Sequence, residues 1–160
     1  MVLPFFYGRQ AMAIAKHKLG SFGEQIVAKT CSCPRCKRLK TLVRLPQNFK
    51  CADLVCDFCG FLAQVKSSTV TDIGLLPRTL LGAAWGPQKA RMDAAIYFPL
   101  YLVLAKPNLK QYSIFYLSAD LQPPELFKER NPLSSYARRA GWKGFTYDLQ
   151  IVKDKFVRLA

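Results

Sequence analysis

The sequence predicts an α/β (α+β) fold, a mixed β-sheet flanked by helices with an inserted metal-bound hairpin. Three observations carry this reading. An Ala- and Lys-rich helical stretch comes first, a cysteine-framed segment follows, and short apolar runs then alternate with turn signals to the end of the chain. The 160 residues suffice for one domain with its own core. Residues 1–160 are therefore read as a single unit, with the metal-binding segment at 31–60.

Taken in order, Gln10 to Lys29 reads as helical, with Gly20 as an expected break. Ser21 then starts a second helix, because Ser21-Phe-Gly-Glu24 has the spacing of a capping box. Strands are expected at Leu39 to Leu45, Phe49 to Val55 and Phe61 to Lys66. In the third, alternation sets Phe61, Ala63 and Val65 on one face and Leu62, Gln64 and Lys66 on the other. Leu76 to Met92 reads as a helix despite Pro77 and Gly86. Ala94 to Ala105 is a continuous apolar run, the pattern of a strand buried on both faces. A turn at Pro107-Asn108 leads to a strand at Gln111 to Ser118. Pro123-Pro124 opens a short helical region, and Pro132 to Ala140 reads as a helix stopped by Gly141. Phe145 to Leu149 and Lys155 to Leu159 are short closing strands.

Charge narrows the partners. Lys and Arg number 24 against 10 Asp and Glu, a net charge of +14. Such a field concentrates polyanions, and phosphate backbones are its natural target. The basic residues are spread along the chain instead of massed on one amphipathic helix, which favours nucleic acid over a membrane surface. The apolar run at Ala94 to Ala105 is too short to span a bilayer and contains Pro99. At the N-terminus, Met1-Val-Leu-Pro-Phe-Phe-Tyr7 precedes the first basic residue, Arg9, the reverse of a secretory signal. A cytoplasmic protein is expected, and there six cysteines mean metal in preference to disulfides.

The cysteine spacing is specific. Cys33-Pro-Arg-Cys36 and Cys56-Asp-Phe-Cys59 are two Cys-x-x-Cys pairs. Two intervening residues let a tight turn present both thiolates to one tetrahedral ion, and a hairpin brings the second pair opposite the first. Arg35, Lys37 and Arg38 beside the first pair help keep the thiols ionised. A redox pair would follow a strand and open a helix, and neither pair does. Four thiolates fill the coordination sphere, so zinc at Cys33, Cys36, Cys56 and Cys59 is structural and any chemistry lies elsewhere. Cys31 is a spare thiol near this metal, and Cys51 a buried strand residue.

With one histidine in the chain, His-based triads have little to work with. His17, among lysines, is read as solvated. What remains is an acid, a polar residue and a lysine beside the hairpin: Asp53, then Gln64-Val65-Lys66. Singly, these are also what a turn carboxylate, a polar strand face and a solvated lysine look like.

Asp, a spacer, then (Asp/Glu/Gln)-x-Lys on the next strand resembles the PD-(D/E)xK metal-nuclease pattern. The wider text is similar to the catalytic domain of DpnI-like, methyl-adenine-directed restriction endonucleases. It rests on Cys33-Pro-Arg-Cys36, on Ala52-Asp53-Leu-Val-Cys56-Asp-Phe-Cys59, and on Gln64-Val-Lys66-Ser67. It continues in Asn131-Pro132-Leu133, Ala137-Arg-Arg-Ala-Gly-Trp-Lys-Gly144 and Asp148-Leu149. The resemblance runs from Thr30 to Leu159. It implies a restriction-endonuclease-like fold and a Mg²⁺-dependent DNA endonuclease, directed at double-stranded and methylated DNA. Asp53, Gln64, Lys66 and Glu24 would be its catalytic residues. Asp53, the Gln64 carbonyl and the Val65 backbone carbonyl would be the magnesium ligands, hard oxygens of the kind Mg²⁺ prefers. Lys66 would orient a water or neutralise developing charge. The DpnI-like enzymes carry Glu where this chain has Gln64, which removes one negative ligand, although Mrr-like nucleases of the superfamily also use Gln. They also continue into a winged-helix reader, whereas this sequence stops at Ala160. Glu24 resembles a helix-borne metal carboxylate and equally a capping-box residue.

Arg138, Arg139, Trp142 and Lys143, with Ser134 as a helix cap, are expected nucleic-acid contacts, as are Arg35 and Arg38 on the first knuckle together with Lys37 and Lys40. Trp142 reads equally as a core residue. The other function classes are a non-catalytic zinc-ribbon module binding nucleic acid on a nuclease-like fold, favoured by Gln64, and a ribosome-associated structural protein. The oligomeric state has no signature in the sequence.

Overall fold

The computed structural model of the chain describes residues 4–50 and 52–160. It opens with helix α1 (Pro4–Thr30), 27 residues without interruption. The expected break at Gly20 does not occur. A helical glycine costs about 1 kcal/mol relative to alanine, and the contacts of α1 with the sheet outweigh that. Gly23 shows what glycine gains here, since a Cβ at this position would overlap the Ser67 hydroxyl and hold the helix off the strand beneath it. Ser21 and Glu24 are thus interior helix residues, so no capping box forms.

Strands β1 (Leu42–Arg44), β2 (Leu54–Cys56) and β3 (Leu62–Thr69) follow as an antiparallel run. β3 then pairs in parallel with β5 (Leu100–Ala105), which pairs antiparallel with β6 (Tyr112–Leu117), and β6 with β9 (Val157–Arg158). The six-stranded order is β1-β2-β3-β5-β6-β9. A smaller antiparallel sheet, β4-β8-β7, comprises β4 (Thr79–Ala84), β7 (Phe127–Glu129) and β8 (Gly144–Asp148).

Three layers result. Leu100, Leu102 and Leu104 of β5 join Phe115 and Leu117 of β6 against Leu80, Phe127, Phe145 and Tyr147 of the smaller sheet. Tyr101 and Val103 point the opposite way, with Ala63 and Val65 of β3, into a core shared with Val27 of α1, Leu42, Leu54, Cys33 and Cys56. Every β5 residue is buried, as its unbroken apolar run predicts. The strand begins only at Leu100, because Pro99 cannot donate to a ladder. In β3 the predicted alternation holds: Ala63 and Val65 are buried, while Leu62, Gln64 and Lys66 are half-buried on the other face.

Two further helix expectations are corrected. Leu76 to Met92 divides into strand β4 and helix α2 (Trp85–Asp93). Thr79 to Ala84 pairs with β8, and Gly82 fits there because the Phe145 ring occupies the space a Cβ would need. Pro87 sits in the first turn of α2, where its missing N–H has no helical partner to lose. Pro132 to Ala140 is not helical. It is a loop closed on itself by Leu133 N–H to Trp142 O at 2.9 Å and Gly141 N–H to Leu133 O at 3.0 Å, with Gly141 at φ 78°. Ser134 therefore caps no helix; its carbonyl accepts the Ala137 N–H at 3.0 Å. Cys51 lies outside the described residues.

Candidate functional site

The two Cys-x-x-Cys turns are built alike. Lys37 N–H donates to Cys33 O at 2.9 Å and Gly60 N–H to Cys56 O at 2.8 Å. Cys33 N–H reaches Arg38 O at 2.9 Å, and Cys56 N–H reaches Phe61 O at 2.7 Å. The residue after each pair takes a positive φ, 65° at Lys37 and 75° at Gly60. That conformation suits glycine and is uncommon for lysine. The repeated turn aims all four sulfurs inward. Cys33 and Cys59 Sγ lie 3.6 Å apart, Cys36 and Cys56 Sγ 3.7 Å apart, and all four fall within 4.8 Å of one another. A tetrahedron with metal–sulfur bonds of about 2.3 Å has edges of about 3.8 Å, whereas a disulfide would need about 2.05 Å. The donor set and spacing therefore fit a metal ion such as zinc. Burial pushes the Cys33 thiol up to about 12. Burial also acts against ionising Cys56, yet the Thr41 hydroxyl and the Cys59 and Phe58 backbone N–H groups hold it at about 6. Cys31 is buried in the same core but stays outside the cluster.

The hairpin carried by these turns leads into Asp53. Asp53 N–H donates to Ala63 O at 3.0 Å, and beyond that point β2 no longer covers β3. From there, among the described residues, no strand pairs with the outer edge of β3. Gln64 N–H donates to Pro99 O and Val70 N–H to Ala105 O, so even-numbered amides face β5. Val65 N–H faces the other way and donates to Asp53 Oδ2 at 2.8 Å. A strand residue's N–H and C=O share one edge, so the Val65 carbonyl lies on the edge that Asp53 occupies. The structure thus brings Asp53, Val65 and the open strand edge together with hard oxygen donors, the ligand chemistry that suits magnesium.

Gln64 and Lys66 extend from the opposite face of β3 to Val65. Gln64 Oε1 accepts from the Tyr147 hydroxyl at 3.2 Å. Burial holds the Tyr147 phenol above its ordinary pKa, reinforced by the Asp53 charge and opposed by Arg91. It stays a donor. Burial pulls the Lys66 ammonium below its usual value, and the Asp53 and Glu24 charges pull the other way. Lys66 therefore sits in the field of both carboxylates. Glu24, on α1, is bound by Arg44 of β1 at 2.8 Å. A cleft of about 240 Å³ is lined by Glu24, Arg44, Asp53, His17 and Gln47. A wider one of about 660 Å³ runs from Lys66 along Ser67 to Thr69 toward Thr79, and Gly20 lines both. His17 is exposed, as expected, and its Nε2 lies 2.6 Å from Gln47 Nε2.

The basic residues are less convergent. Arg35 stands over the Phe61 ring at 5.6 Å and Arg38 over Phe58 at 3.7 Å, both on the knuckles. Arg139 stacks on Trp142 at 4.4 Å, and Lys143 is paired with Glu129 at 2.7 Å. Trp142 is half-buried against Gly144, where a Cβ would come within 2.8 Å of its ring. Arg138 and Ser134 are exposed. Sequence reasoning missed Tyr147 and Arg44. Nothing in local spacing links Tyr147 to Gln64. Arg44 was within reach, because it lies on the strand facing the one that follows Asp53, with Arg44 opposite Leu54.

Fold and cysteine cluster together define an α+β protein with a zinc-type knuckle beside an open, acid-bearing strand edge. The family model described as DpnI: Dam-replacing family matches residues 9–158. The chain belongs to this restriction-endonuclease-like family. Among the described residues, no helix is long and apolar enough to cross a membrane.

Proposed function

We propose that this protein is a Mg²⁺-dependent DNA endonuclease whose cysteine cluster holds structural zinc, with Asp53, Gln64, Lys66 and Glu24 forming its catalytic site. The observation that carries this is the hydrogen bond from Val65 N–H to Asp53 at the open edge of β3. It sets a carboxylate and the Val65 carbonyl side by side, with Lys66 in the field of Asp53 and Glu24. Bound magnesium supplies polarisation of the phosphoryl group and a more acidic water. The chain's own residues do the rest. Asp53 and the Val65 carbonyl offer the first oxygens, and Gln64, held by Tyr147, offers a neutral one. Lys66 orients the attacking water or neutralises charge on the phosphoryl oxygens as the water oxygen bonds to phosphorus and the P–O bond to the leaving nucleotide breaks. Solvent takes the water's proton and returns one to the leaving oxygen.

Double-stranded DNA is the substrate in this reading, with adenine-methylated DNA the first form to test. Arg35, Arg38, Arg138, Arg139, Trp142, Lys143 and Ser134 form its contact surface, supported by the net charge of +14. The protein acts in the cytoplasm, where its thiols stay reduced and available to metal, and residues 1–160 work as one nuclease unit. The test is supercoiled plasmid, methylated and unmethylated, incubated with Mg²⁺. Cleavage lost in Asp53→Asn supports the reading. No cleavage of either plasmid refutes it and leaves the second reading, a non-catalytic nucleic-acid-binding module, which Gln64 favours and which predicts salt-dependent, Mg²⁺-independent binding.

A further inference from the structure

We propose that Arg44 is a phosphate-binding residue, held by Glu24 until substrate arrives, so that the divalent cation and the substrate phosphate enter this cleft together. The inference rests on the nuclease reading above and assigns Arg44 a part in it.

Arg44 Nε and Nη2 both reach a single oxygen, Glu24 Oε2, at 2.9 and 2.8 Å. Among the described residues, Glu24 Oε1 and Arg44 Nη1 have no hydrogen-bond partner. The pair is a one-oxygen contact, not the fork-to-fork arrangement in which guanidinium binds carboxylate most strongly. It is also open to solvent, with side-chain exposures of 39% and 24%. Exposed pairs of this kind contribute little and exchange partners readily.

The hairpin holds Arg44 next to the metal-binding residues. Arg44 opposes Leu54 in the ladder, and Leu45 N–H donates to Asp53 O at 2.9 Å. Arg44, Glu24 and Asp53 line the same cleft. Charge balance then limits what can bind. Asp53 and Glu24 line this cleft with Arg44, Lys66 of the adjoining cleft lies in the field of both carboxylates, and position 64 is a neutral Gln. Without substrate the cleft offers a divalent cation no net negative charge. A phosphodiester changes this twice over. It adds a negative charge, and it presents two oxygens to the guanidinium in the geometry that Arg binds best. Arg44 transfers to the phosphate, and the Glu24 carboxylate is released toward the metal.

The test is Mn²⁺ binding by electron paramagnetic resonance on the zinc-loaded full chain, with and without a phosphorothioate duplex that resists cleavage. Wild type should bind Mn²⁺ at least tenfold more tightly with duplex than alone. Arg44→Ala should bind Mn²⁺ several-fold more tightly than wild type without duplex and lose most of the duplex-induced gain. Its duplex affinity should fall, with the salt-dependence slope reduced by about 1. Glu24→Gln, which frees Arg44, should bind duplex more tightly than wild type in the absence of divalent metal, and most of that gain should vanish when Arg44→Ala is added, which the loss of one negative charge alone would not produce. Unchanged Mn²⁺ affinity in Arg44→Ala, or unchanged metal-free duplex affinity in Glu24→Gln, overturns the proposal while leaving the nuclease reading standing. Wild type that takes up no Mn²⁺ even with duplex overturns both.

Discussion

Asp53 and Val65 are joined by a 2.8 Å hydrogen bond from backbone to carboxylate, made where β2 stops covering β3. The bond completes what would otherwise be an unpaired strand amide and fixes a carboxylate at a sheet edge. Structure and proposed chemistry therefore share one side chain, and substitutions can separate them.

Asp53→Asn retains a side-chain oxygen able to accept the Val65 N–H but loses the charge. Plasmid cleavage should fall by at least about 10²-fold, the scale of removing one key group from a transition-state site. Its melting temperature should stay within about 2 °C of wild type. Asp53→Ala should show the same loss of cleavage and also melt lower, because a partly buried amide loses its acceptor at a cost of about 1–3 kcal/mol. Equal melting temperatures for the two variants would mean that the Val65 bond carries no stability.

Lys66→Met should melt higher than wild type. Burial depresses the Lys66 pKa below its unfolded value, so the charged amine is less favourable in the folded chain than in the unfolded one. The unfolded chain binds more protons between the folded and unfolded pKa values, and stability attributable to this group rises with pH across that window. The substitution removes the penalty at neutral pH. A gain on the order of 1 kcal/mol raises the melting temperature by about 2–4 °C in a chain of this size. The gain should shrink toward pH 10, and thermal unfolding at pH 7 and pH 10 reads it directly.

Cys33→Ser or Cys56→Ser should release the metal and unfold the hairpin. Elemental analysis should find one zinc per wild-type chain. Structural zinc contributes about 10–16 kcal/mol of apparent binding energy in small folds, so a strong chelator should lower the melting temperature far more than any single surface substitution. A chelator without effect on the melting temperature would leave the four sulfurs as a metal-free cluster.

Gly23→Ala should destabilise the fold by about 1–3 kcal/mol, the usual cost of overpacking, because its Cβ meets the Ser67 hydroxyl. Ser67→Ala should recover part of this in the double variant, since the β-carbon remains and only the overlapping oxygen goes. Urea unfolding of the four species forms the cycle, and strict additivity would refute the contact.

Much of this was legible in the residues. Two Cys-x-x-Cys pairs gave the knuckle outright, because two residues between thiols admit one simple geometry. The alternation in β3 assigned its faces, and the apolar run through Leu100 to Ala105 gave the central strand. The failures have physical causes. Helical propensity at Thr79 to Ala84 was overridden by pairing with β8, a partner sixty or more residues away. Gly20 read as a helix break, yet the helix runs through it, and Gly23 three residues on is where it presses against the sheet. The Pro132 loop has helical composition, but its hydrogen bonds close across the loop. Tyr147 could not be linked to Gln64 by any spacing rule. Arg44 read as one more basic residue among 24 Lys and Arg, and only its ion pair with Glu24 singles it out.

The hairpin has a final consequence. Asp53 reaches the edge of β3 on a strand whose turns are pinned by the four sulfurs, and Arg44 stands on the neighbouring strand. In the nuclease we propose, depriving the chain of zinc would therefore disarm a centre that works with a different, alkaline-earth ion. Zinc starvation would then switch off cutting even in abundant magnesium, and reloading would restore it without new synthesis of the chain.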